Sequence, residues 1–151
     1  NLGGKKMGNR VLVACIVTGF GLLLAVTVKF LLPPCHAMLT LVSGTMVPMK
    51  CHWSSQMIAG LGILIACEGI LLGVMRPVAA RQALGIVVML TAILAMAVPT
   101  VLIGVCDAVA MPCRAGMLPA TLVIALLVGV AGIGNTVYLW RRKTSESTVR
   151  S

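Results

Sequence analysis

The chain has 151 residues, of which 60% are hydrophobic and 10% charged, whereas an ordinary soluble domain carries about a quarter charged residues. A water-soluble fold could not hide that much apolar surface, so the composition specifies an integral membrane protein with one compact domain. The formal net charge of +9 does not indicate nucleic acid, because aromatic residues are only 3% and most basic residues stand in short clusters beside apolar runs.

Residues 1–10 are polar and basic, and Met7 is a candidate start, with residues 1–6 then a remnant of other origin. The apolar run that follows is too long, and too poor in small-residue cleavage pattern, for a secretory signal. Four runs reach the about 20 residues that a membrane-crossing helix needs: 11–32, 53–75, 82–105 and 118–140. None alternates apolar with polar residues as a barrel strand does. The expected fold class is therefore an all-α membrane protein, a four-transmembrane-helix bundle. Pro99 lies inside the third run, where its missing N–H should kink the helix.

Orientation follows from lysine and arginine. Lys5, Lys6 and Arg10 precede the first helix, Arg76 and Arg81 flank the turn between the second and third, and Arg141, Arg142 and Lys143 follow the fourth. The opposite loops, 33–52 and 106–117, carry only Lys50 and Arg114, with Lys29 near a helix end where its stem can snorkel. The positive-inside rule places both termini in the cytoplasm and both loops outside. Tyr138 and Trp140 suit the inner interface and Trp53 the outer one. The Ser/Thr-rich tail, 144–151, reads as disordered.

The two outer loops hold the chemistry. Cys35-His36 and Cys51-His52 bracket the first, with Met38, Met46 and Met49 between them; the second runs from Cys106 to Cys113 and contains Met111. Cysteines facing an oxidising compartment usually form disulfides. Four of them allow three connectivities, of which Cys35–Cys51 with Cys106–Cys113 is the simplest. The bland reading is a braced cap. The sharper one is a soft metal site, copper above all or zinc, drawn from the cysteines with His36, Met38, Met46, Met49, His52 and Met111. Against it, no Cys-x-x-Cys or His-x-x-x-His spacing is present. A third reading is thiol–disulfide exchange. The layout resembles the bacterial quinone-linked membrane oxidases, which would imply quinone as cofactor, although their Cys-x-x-Cys is missing. Cys15 and Cys67, within helices, read as small apolar packing residues.

Inside the membrane, Glu68 is a costly carboxylate and a functional hypothesis by default. Thr18, Thr91 and Asn135 fall at similar depth on the other helices, so the four could make one polar layer, with Glu68 protonated or bonded to Asn135. Gly69-Ile-Leu-Leu-Gly73 is a GxxxG that permits close helix approach. A faint repeat of helix, cysteine segment, helix suggests two related hairpins side by side.

Met49-Lys-Cys-His-Trp53, the preceding Pro34-Cys35 and the later Met111-Pro-Cys113 resemble a family of small bacterial membrane proteins known as domain of unknown function 4418. The resemblance runs from about Val11 to Trp140. It implies four membrane helices in a bacterial cytoplasmic membrane and no established activity. It also implies genes near ABC-type permeases of the macrolide-exporter class and near metal-uptake systems. The function expected is a non-enzymatic accessory subunit of such a transport assembly, with the lipid bilayer and other membrane subunits as partners. The runner-up is the quinone-linked oxidoreductase, and a small structural membrane protein the third.

Overall fold

The computed structural model describes the backbone of residues 2–32, 38–40, 44, 46–48, 50–105 and 113–150, and the side chains of residues 8, 10–32, 44, 46, 50–105 and 113–141. Among these residues four long helices run up and down. Helix α1 is Leu2–Val26 and continues as a π-helical turn, Thr27–Leu31. A short antiparallel ladder follows, with strand β1 (Met38–Thr40) paired to strand β2 (Met46–Pro48) in the register Met38 to Pro48. Helix α2 is Lys50–Val74. Helix α3 is Val78–Ala97 with a π turn at Val98–Leu102, and a third π turn, Cys113–Met117, leads into helix α4, Leu118–Arg150.

The four membrane-crossing stretches are Arg10–Leu31, Lys50–Val74, Val78–Leu102 and Cys113–Arg141. Their outward faces carry Leu12, Leu22, Ile63, Leu64, Leu90, Leu126 and Val130, all exposed. A surface as apolar as the interior requires lipid as its solvent. The interior is filled by Val17, Leu24, Ile58, Ile65, Leu72, Val88, Met117 and Val128.

The bundle is two tight hairpins laid together, α1 with α2 and α3 with α4; contact between the hairpins is sparser. In the first hairpin, Ala14, Thr18, Gly21 and Ala25 of α1 meet Gly73, Gly69, Ala66 and Gly62 of α2 in turn. Steps of four, three and four residues along one helix mirror the same steps along the other. A Cβ on Gly21 would sit 2.6 Å from the Ala66 backbone nitrogen, and one on Gly62 would sit 2.8 Å from the Gly21 carbonyl oxygen. The two backbones therefore touch. Lipid offers no hydrophobic drive between helices, so this close van der Waals fit is what joins them.

Several boundaries differ from the sequence expectation. Helical structure begins at Leu2 rather than at residue 11, and α3 begins at Val78 rather than 82, so that Arg81 lies on the helix. Pro77 explains the latter, since a proline beside the first helical residue sacrifices no internal hydrogen bond. Helix α2 starts at Lys50, which takes Cys51 and His52 out of the loop and onto the first helical turn. Cys113 likewise sits on the π turn that opens α4. The segment expected to be a disordered tail, 144–151, continues α4 to Arg150, past the basic Arg141-Arg142-Lys143 cluster.

Pro99 is buried within the second π turn. The wider turn closes through the Ile103 amide donating to the Val98 carbonyl at 3.0 Å, and the chain leaves through Gly104, whose φ of +78° suits glycine. At the other end of the bundle, Arg81 lies within electrostatic reach of Arg10 and Tyr138, which brings the starts of α1 and α3 to the end of α4.

Candidate functional site

Two places carry polar groups where the packing gives them meaning: the cysteine-bearing cap and a buried carboxylate among the helices.

At the cap, adjacent residues on the first turn of α2 meet opposite environments, because successive helical side chains point about 100° apart. Cys51 is wholly buried and disulfide-bonded. His52 is half-buried and its ring stands edge-on to Trp53 at 5.9 Å between centroids. Trp53 is exposed, as a residue of the bilayer interface is. The Ser55 hydroxyl donates to the His52 carbonyl at 2.9 Å, and the Lys29 ammonium donates to Gln56 Oε1 at 2.6 Å, tying the end of α1 to α2. Cys113 and Met117 are buried on the turn that opens α4, while Met46 of β2 is exposed. The hydroxyls of Ser54 and Thr121 lie buried without a partner. An apolar groove of about 600 Å³ opens between Thr27, Leu31 and Leu32, where α1 finishes, and Pro119, Ala120, Val123 and Ile124 of α4. Its almost pure hydrocarbon lining suits an acyl chain.

Cys35, His36, Met49, Cys106 and Met111 lie outside the described residues, and Met38 is described only as backbone. Among the described residues no three of His, Cys, Asp and Glu come together as a metal cluster. Cys15 and Cys67, expected to pack inside, instead face outward on α1 and α2.

The second place is Glu68, 4% exposed and buried among helices. Its Oε1 lies 2.9 Å from Thr91 Oγ1, and Thr91 Oγ1 lies 3.0 Å from the Val87 carbonyl oxygen one turn back on α3. Glu68 Oε2 and Asn135 Nδ2 are both buried and have no partner. The pairing expected between Glu68 and Asn135 is thus replaced by Glu68 with Thr91. Asn135 abuts α3 elsewhere, at Gly85, where a glycine Cβ would stand 3.4 Å from Nδ2. Thr18 turns its hydroxyl toward the Ala66 carbonyl at 3.5 Å, a weak contact at best. The four residues sit on four helices, but the hydrogen bonding singles out one pair. Thr91 as the partner had a sequence signal: a hydroxyl on an apolar helix next to the one bearing the acid.

The family described as Domain of unknown function (DUF4418) matches residues 16–138, from the middle of α1 to near the end of the last span. No curated protein and no solved structure matches the chain.

Proposed function

The chain belongs to the DUF4418 family, and from that premise we propose that it works as a non-enzymatic accessory subunit of a membrane transport assembly. The observation that carries this reading is the filled interior. Leu24, Ile58, Ile65, Leu72, Val88 and Val128 are all fully buried along the bundle. A bundle packed this way offers a docking body, and the solute pathway belongs to a partner such as an ABC-type permease.

In this reading both termini face the bacterial cytoplasm, because Arg10, Arg81 and the basic residues after Trp140 gather at one end. The cap then projects outside. Its disulfide bonding at Cys51 supports a brace that fixes the first turn of α2 and presents Trp53, Met46 and Met57, all exposed, to a partner. Pairing of Cys51 with Cys35 is the simplest of the three connectivities that four outer cysteines allow.

The test is purification from native membranes in mild detergent. A permease and its ATPase should co-purify in fixed ratio, and alkylation before and after reduction should show outer cysteines that react only once reduced. A protein that purifies alone with bound quinone and cycling thiols would make it the oxidoreductase. Stoichiometric copper or zinc that is lost on His52→Ala, with freely alkylated cysteines, would make the cap a metal site.

A further inference from the structure

We propose that Glu68 is an intramembrane proton-binding site, with Thr91 as the side chain that reports whether the proton is present. This is independent of what the cap does.

A threonine hydroxyl has one proton to give and lone pairs to receive. Thr91 Oγ1 has two oxygen neighbours at bonding distance, the Val87 carbonyl at 3.0 Å and Glu68 Oε1 at 2.9 Å. The carbonyl can only accept. If Thr91 donates to Val87, Glu68 Oε1 must be the donor into Thr91, and the side chain is then a neutral carboxylic acid. All three oxygens are satisfied by two protons. If Glu68 is ionised, Thr91 must turn its proton from Val87 to the carboxylate. The anion would then keep Oε2 buried with no donor, which is the costliest state a polar atom can hold in an apolar interior.

The surroundings add no compensating charge. Thr18 on α1 is committed weakly to the Ala66 carbonyl, and Asn135 on α4 has an uncommitted amide that does not reach Glu68. Among the described residues, the other charged and titratable groups on the packed helices are Arg81, within electrostatic reach of Arg10 and Tyr138, with Arg76 and Arg141 toward the same basic end, Cys15 and Cys67, which face outward, and Lys29, Lys50, His52 and Arg114 toward the cap. Among the described residues Glu68 makes no ion pair. Losing the proton therefore rearranges the contact between α2 and α3, which joins the two hairpins. The ligand is a single proton, and the site is a proton-sensitive hinge between them.

The experiment uses the full chain in lipid vesicles. Infrared spectra at neutral pH should contain the carbonyl stretch of a protonated carboxylic acid in an apolar setting. That band should be missing from Glu68→Gln and should vanish from the wild type as pH is raised. In parallel, a hydrophobic carbodiimide, which modifies protonated carboxyls in membranes, should label Glu68 in the unaltered protein, as read by peptide mass. The labelling should fall with the same pH profile as the band. Thr91→Val should move that profile, whereas Thr100→Val, on the same helix but bonded to the Met96 carbonyl, should not. No acid band and no Glu68 label at neutral pH would overturn the proposal. So would a band and label that do not change up to strongly alkaline pH, or a profile that Thr91→Val leaves in place. The labelling needs no variant, so a Glu68→Gln protein that fails to fold does not rescue the idea.

Discussion

The two hairpins share a plan and differ in how they close. Between α1 and α2 the backbones approach at three successive levels, from Thr18 against Gly69 to Ala25 against Gly62, and at a fourth Gly73 faces the Ala14 methyl. Between α3 and α4 the tight contact is concentrated near the basic end. There Gly85 faces Thr136 and Gly132, while a Cβ on Gly129 would stand an ordinary 3.6 Å from the Ala92 side chain. The first hairpin is thus zipped through main chain along most of its seam, whereas the second brings main chain close only where Gly85 and Gly132 cross and relies on side chains elsewhere. Main-chain contact leaves nothing that can rotate away. Side-chain contact leaves slack, and the second hairpin is where Thr91 and Asn135 are found.

That difference predicts a graded series. Gly69→Val should have the largest effect, because the new atoms would meet the Thr18 main chain at 2.6 Å. A cost at or above the usual ~1–3 kcal/mol of overpacking is expected, seen as loss of monodisperse protein in size exclusion and of the helical melt by circular dichroism. Gly85→Ala should cost less, about 1–2 kcal/mol in the same melt, since the Thr136 hydroxyl it meets can turn at the expense of its bond to the Gly132 carbonyl. Thr91→Val should destabilise by about 1–2 kcal/mol, because it leaves both Glu68 oxygens without a partner. Gly129→Ala should change the melting temperature little, the pocket beside Ala92 being just wide enough. Gly134→Ala has nothing within 4 Å and should be neutral or gain a few tenths of a kcal/mol, up to about 1, from helix propensity. If Gly69→Val and Gly134→Ala melt alike, the zipped seam is wrong.

Much of this architecture could be read from residues alone. The four spans were legible because apolar runs of that length have one physical use. The GxxxG of Gly69 and Gly73 was visible, but its partner stripe on α1 was not, since alanine, threonine and glycine do not look like one motif. The mirrored four-three-four spacing was the available signal. The start of α2 is hidden in the sequence because Lys50, Cys51 and His52 are polar enough to resemble loop. Depth counting put Glu68 and Asn135 on a level, yet two groups at one depth can still point into different helix contacts; a sequence carries depth better than azimuth. The short β1–β2 ladder had no signal in the apolar runs, being only three residues a side.

The three π turns all fall at the cap end: Thr27–Leu31 where α1 finishes, Val98–Leu102 where α3 finishes, Cys113–Met117 where α4 starts. A π turn is an α-helical turn that has absorbed one extra residue. In evolutionary terms these turns are places where the reading of length is loose. A single-residue deletion there would restore an ordinary turn and leave everything below in register. The same deletion between Ala14 and Ala25 would rotate every later small residue about 100° away from its mate. Insertions and deletions among relatives should therefore collect at the cap end, where the cysteine segments can be reshaped while the zipped stem stays the same length.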